Sequence, residues 1–379
     1  MPTLDRIQIE GFKSIRKTGL DLGPVNVLIG ANGAGKSNFI SAFSLLQRMM
    51  EGRLQFHVAQ AGGADVLLHF GRKRTPEVRL RLRFAPGGAF YSVSLAPSSD
   101  DSLFIASEQW GIEGGTREFS LPAFTSGKQV ESALVVGHET SRMAPIDLLT
   151  WDQKAWDKLK HQASGLTRGG RVYHFHDTSS AAKVKLTGDI GDNEALRSDA
   201  SNLAAFLFLL KAKHPDSYRR IVSTIRLAAP FFDDFRLRPS PFNEQKIQLE
   251  WSEKNSDAYF NAHALSDGTL RFICLTTLLL QPELPSLIII DEPELGLHPY
   301  AIQLLAGLVR SASHKAQVIL STQSVTLVNQ FTPEELIVVD RKDGASEFRR
   351  LSPEDLKSWL ESYSLGELWE KNVLGGRPG

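Results

Sequence analysis

An α/β fold built on a mixed or parallel sheet is what this sequence predicts, on three observations. The apolar run Val25-Asn26-Val27-Leu28-Ile29 leads into a glycine-rich octapeptide, Gly30-Ala31-Asn32-Gly33-Ala34-Gly35-Lys36-Ser37, and then into a helix-like stretch from Asn38 to Met50. Far downstream, Leu287-Ile288-Ile289-Ile290 is a second apolar run, bounded by Pro285 and Pro293 and ending in Asp291-Glu292. Continuous apolar runs of this kind fit strands buried on both faces of a sheet. Between them, Glu77 to Phe84 alternates, with Val78, Leu80, Leu82 and Phe84 facing one way and Arg79, Arg81 and Arg83 the other. With further strand-like pieces at Phe90 to Leu95 and Leu103 to Ile105, this predicts a β-rich N-terminal lobe.

The octapeptide fits G-x-x-x-x-G-K-[ST] in full, in the strand–loop–helix context that turns a pattern into a phosphate loop. Glycines let the backbone curl so that its N–H groups converge on an anion, and the helix beginning near Lys36 adds its N-terminal partial charge. Asn32, Gly33, Ala34, Gly35, Lys36 and Ser37 are therefore the candidate nucleotide contacts, with Lys36 on the β- and γ-phosphates and the Ser37 hydroxyl on Mg²⁺. The acidic pair completes the chemistry. Asp291, expected beside the phosphate loop, would bind Mg²⁺, and Glu292 would accept a proton from the attacking water.

Bulk properties bound the setting. The 379 residues suffice for one large domain or two moderate ones, and 42% hydrophobic content supports a packed core. Lys+Arg and Asp+Glu both number 43, so only a local patch could attract nucleic acid. A single cysteine, Cys274, forms no internal disulfide, the N-terminus lacks a signal-like apolar core, and the longest apolar runs are too short for a bilayer. A cytoplasmic protein without membrane partners is expected.

Residues 4–29 read as short strands around turns, whereas residues 121–190 are the least legible. Helical patterning returns from Ser198 to Lys213 and from Ser217 to Ala229, followed by a hairpin pairing Phe235 to Arg238 with Ile247 to Trp251. No sustained heptads predict a long coiled coil. The expected organisation is an N-terminal lobe with the phosphate loop (1–95), an insertion of mixed strands and loops (96–195), a helical subdomain with the acidic-pair strand (196–345), and a C-terminal tail (346–379).

Leu265-Ser266-Asp267-Gly268-Thr269-Leu270-Arg271 resembles the signature motif of the ABC-type ATPases, in the variant carried by SMC- and RecF-like heads. Asp291-Glu292-Pro293-Glu294-Leu295-Gly296-Leu297-His298-Pro299 is similar to their Walker B motif and D-loop, and Ile7-Glu10-Gly11-Phe12-Lys13-Ser14-Ile15 to their opening strands. The RecF/OLD-like group of predicted AAA ATPases resembles this chain most over residues 1–50 and 195–340. The resemblance implies an ABC-ATPase head with a helical signature subdomain and a homodimer closed over two ATP molecules. There, Ser266 and Gly268 clamp the nucleotide bound by the other subunit. Ser266 is also, on its residues alone, a plain N-cap. Gln323 falls at the switch position, where the family often has histidine, and Gln60 is the candidate Q-loop residue and Mg²⁺ ligand. Too few residues follow Asp340 for the Toprim nuclease domain of OLD proteins.

The implied function is an ATP-hydrolysing switch coupled to DNA binding and repair, or to a separate effector such as a nuclease in phage defence. The alternatives are a transporter-energising subunit, which the variant signature disfavours, and a nucleotide-dependent regulator that binds no DNA. His174 and His176 fit a partly buried strand face better than a metal site, for want of a third ligand. Arg72, Lys73, Arg74, Arg79, Arg81 and Arg83 form the best local basic patch, either for a phosphate backbone or as a solvated strand edge. Arg16 and Lys17 carry the same two readings, and Cys274 reads as core.

Overall fold

The computed structural model describes residues 3–113, 118–121 and 170–377. The chain opens with a hairpin of β1 (Thr3–Phe12) and β2 (Ile15–Asp21), then β3 (Val25–Ile29) and the phosphate-loop helix, Lys36–Met50. Strands β4 (Val78–Ala85), β5 (Ala89–Pro97), β6 (Leu103–Ile112) and β7 (Glu118–Leu121) join the hairpin in an antiparallel sheet ordered β2-β1-β4-β5-β6-β7. β3 belongs to a different sheet, with β8 (Gly170–Tyr173) at its edge. The short strands β9 (Gly188–Asp189), β10 (Phe232–Phe235), β11 (Pro239–Ser240), β12 (Asn243–Ile247), β13 (Glu250–Glu253) and β14 (Tyr259–Asn261) make two small sheets, β10-β13-β14 and β11-β12-β9. The expected hairpin is split between them: Phe235 pairs with Trp251 and Pro239 with Ile247.

β15 (Leu287–Asp291), β16 (Gln317–Thr322), β17 (Leu336–Lys342) and β18 (Ala345–Arg350) complete the central sheet, ordered β18-β17-β3-β16-β15-β8. It is mixed: β17, β3, β16, β15 and β8 run parallel, and only β18 is antiparallel to its neighbour. Residues 345–350, read from sequence across the start of a tail, are thus part of the sheet.

The continuous apolar runs have the expected cause, since both faces of the sheet are covered. Val27, Ile288, Ile290, Val318, Leu320 and Val338 pack into one core with the helices Leu203–Lys213, Asp267–Leu280 and Pro299–Ser313. Leu28, Leu287, Ile289, Ile319, Ile337 and Val339 face the opposite core. There the phosphate-loop helix inserts Phe39, Ile40, Phe43 and Leu46 between the central sheet and the antiparallel sheet's Ile7, Ile9, Leu80 and Leu82. Among the described residues the longest helices span 15 residues, and none is long and apolar enough to cross a membrane.

Candidate functional site

The loop leaving β3 closes tightly. Gly35 caps the following helix at φ +119, and a β-carbon there would lie 2.0 Å from the Ser346 hydroxyl, so no other residue fits. Ser346 is buried, contacts the Ala34 carbonyl at 2.5 Å and the Ser14 hydroxyl at 2.6 Å, and Ser14 accepts from Asn38 Nδ2 at 2.7 Å. This hydroxyl chain ties β18, the β1–β2 turn and the helix start to the back of the loop. Its front is open: Asn32, Gly33 and Ser37 are exposed, and a β-carbon at Gly33 would meet nothing within 4 Å.

Lys36 is 5% exposed and folds back over the loop, Nζ donating to the Gly30 carbonyl at 2.6 Å and the Ala31 carbonyl at 3.1 Å. Burial holds its ammonium below the usual lysine range, while Glu292, Asp291 and Glu294 pull it back up. Those carboxylates act on Lys36 from a strand that is not the loop strand's direct neighbour. β16 lies between β3 and β15, so Asp291 stands one strand removed from the loop's own strand. Ser321, at the end of β16, spans the gap by donating its hydroxyl to Asp291 Oδ1.

Beyond β15 the chain turns sharply. Glu292 has φ +42, left-handed for a residue with a side chain, and its N–H is held by the Ser321 carbonyl at 2.9 Å. Such strain persists only where the surroundings impose it, and it clusters at functional sites. The Glu292 carboxylate accepts from the side-chain amide of Gln323, the residue that follows β16. The Glu292–Gln323 pair assigned from sequence is therefore in direct contact.

The signature segment is built as a helix start. Ser266 caps helix Asp267–Leu280, accepting from the Thr269 N–H at 3.1 Å. Ser266 is exposed, and among the described hydrogen bonds and ion pairs none joins residues 265–271 to residues 30–37. Gly268 packs on Gly296, and Arg271 reaches the carbonyls of Phe175 at 3.0 Å, His176 at 3.2 Å and Leu295. Gln60 is exposed near the end of helix Leu54–Ala61.

Three features carried no decisive local signal. His176 Nε2 lies 2.9 Å from the Asp291 carbonyl, because β8 is the parallel neighbour of β15 and delivers the two histidines alongside the acidic pair. Glu294 is buried beneath Gln323. Third, the arginine stripe on β4 is paired with carboxylates: Arg79 with Glu77 and Glu10, Arg81 with Glu113, and Arg83 with Asp5, Asp21 and Glu113. Arg72 is held by Asp65 and Asp101, and Lys17 by Glu10 at 2.7 Å.

These residues fit a nucleotide triphosphate with Mg²⁺. The loop is open at a helix N-terminus, carboxylates offset part of the burial of Lys36, and Ser37 and Asp291 are oxygen donors of the kind that would hold Mg²⁺.

Fold and site together define a P-loop head with a fold of the ABC/SMC type. The chain belongs to the family described as "AAA domain, putative AbiEii toxin, Type IV TA system", matched over residues 25–101 and 163–329. Its fold is similar to that of an Smc head bound to the C-terminal winged-helix domain of ScpA (TM-score 0.61, 15% identity, covering 94% of this chain and 99% of that one). Smc heads from Pyrococcus furiosus (TM-score 0.54, 15% identity, 95% and 99% covered) and Pyrococcus yayanosii (TM-score 0.52, 13% identity, 95% and 99% covered) are similar as well. No curated protein sequence matches the chain.

Proposed function

We propose that the chain is an ATP-hydrolysing switch that closes as a homodimer over two ATP molecules and controls a separate effector. The observation that carries this reading is the contact between Glu292 and Gln323, with Glu292 on a strained backbone and its charge acting on Lys36. Lys36 binds the β- and γ-phosphates, Gln323 orients the attacking water, and Glu292 accepts its proton. Mg²⁺, held by Ser37 and Asp291, would neutralise charge developing on the phosphates. Exposed Ser266 and half-buried Gly268 offer a second helix N-terminus, suited to a nucleotide presented by another copy of the chain.

The test is Glu292→Gln, which keeps the shape and removes the base. It should accumulate as an ATP-bound dimer in light scattering, and a variant that stays monomeric with saturating ATP would overturn the sandwich.

A protein effector is favoured over DNA because the arginine stripe is already neutralised by carboxylates. Smc heads bound to ScpA domains, and the type IV toxin–antitoxin description of the family, support a partner protein. A nuclease of a phage-defence system is one such effector. Binding and repair of DNA is the second reading, and a steep salt dependence of DNA affinity would favour it.

A further inference from the structure

We infer that Glu294 is a positioning residue for hydrolysis, holding the segment after β16 so that the Gln323 amide reaches Glu292. The inference rests on the ATPase reading of this site.

Glu294 is 7% exposed, an unusual place for a carboxyl group unless it is bound. One oxygen, Oε1, accepts two bonds from adjacent residues, the Thr322 hydroxyl at 2.5 Å and the Gln323 N–H at 3.0 Å. Thr322 is fixed in turn, since its hydroxyl oxygen accepts the Ser324 N–H at 2.9 Å, and Ser324 caps the short helix Val325–Val328. The strand end, the following turn and the next helix are therefore anchored on one carboxyl oxygen. That anchor sets the Gln323 backbone, and the Gln323 side chain then donates to Glu292.

The left-handed turn at Glu292 is what allows both acids to act on the same neighbour. It places the Glu292 carboxylate against the Gln323 side chain and the Glu294 carboxyl against the Gln323 backbone. The second oxygen of Glu294, Oε2, is buried with no hydrogen-bond partner among the described residues. A full charge there would be poorly solvated, and burial pushes this carboxyl above the usual range. What the geometry asks of this group is an acceptor at Oε1, set at the right place for the Thr322 hydroxyl and the Gln323 N–H. Glutamine reproduces that acceptor; alanine removes it.

The experiment compares Glu294→Gln and Glu294→Ala in steady-state ATP hydrolysis and in amide hydrogen exchange at Gln323. Glu294→Gln should stay within about twofold of wild type, whereas Glu294→Ala should lose on the order of 10- to 100-fold in kcat with KM nearly unchanged. The Gln323 amide should be protected in wild type and Glu294→Gln and exposed in Glu294→Ala. Glu294→Ala with normal kcat, Glu294→Gln as damaged as Glu294→Ala, or a Gln323 amide protected in Glu294→Ala would each overturn the assignment. Where Glu294→Ala fails to fold, Thr322→Val serves, and an unchanged kcat there overturns it equally. A wild-type protein that hydrolyses no ATP would sink the reading of the site, while exchange at Gln323 would still decide whether Glu294 holds that residue.

Discussion

Gly268 and Gly296 touch backbone to backbone: a β-carbon added at Gly268 would lie 2.1 Å from the Gly296 carbonyl oxygen. The first turn of the signature helix therefore rests on the segment that follows the acidic pair. Gly268→Ala must push that segment away, and overpacking of this kind costs about 1–3 kcal/mol. Chemical denaturation of Gly268→Ala should show a loss in that range. Unchanged stability would mean the two elements are not pressed together in solution.

Ser346 supports the phosphate loop from behind. Ser346→Ala leaves the Ala34 carbonyl and the Ser14 hydroxyl short of a buried partner, a loss of about 1–3 kcal/mol. Titration with a fluorescent ATP analogue should also show weaker binding, because the loop carbonyl it steadies belongs to the nucleotide cradle. Normal affinity with lowered stability would confine Ser346 to a packing role.

Cys274 sits at 2% exposure on the signature helix, and burial pushes its thiol up to about 12. Reactivity follows the thiolate, so at pH 8 the folded protein should resist alkylation and the denatured protein should react at once. Fast labelling of the native state would place this helix in a more open environment.

Replacing Arg79, Arg81 and Arg83 together by glutamine removes cations whose partners are Glu10, Glu77, Asp5, Asp21 and Glu113. Pairs this exposed contribute about 0–1 kcal/mol each. Non-specific DNA affinity, measured across a salt series, should not change. A shallower salt slope in the triple variant would identify the stripe as a phosphate-contacting surface.

The phosphate loop, the acidic pair and the capped signature helix were legible because each is written in a few consecutive residues. What sequence could not supply was how strands order themselves between those motifs. That β16 lies between β3 and β15, with Ser321 at its end donating to Asp291, is a relation between residues 30 positions apart that no local pattern encodes. The chain from Ser14 through Ser346 to the Ala34 carbonyl escaped for the same reason, since one serine in a turn and one in a strand carry no signal until their neighbours are known. Gln60, chosen for its place in the sequence, lies exposed on a helix. The arginines of β4 were seen, but their carboxylate partners come from β1, β2, the residue before β4 and the residue after β6.

The order of the central sheet also bears on how the chain is made. β3 is synthesised long before both its neighbours, β16 and β17. On the ribosome, the strand that carries the phosphate loop must wait for the long stretch between it and its partners to emerge. Pairings this distant in sequence form slowly and leave apolar edges open to aggregation. ATP can act as a folding ligand only after that delay, so nucleotide should raise the yield of the finished protein rather than rescue a truncated one.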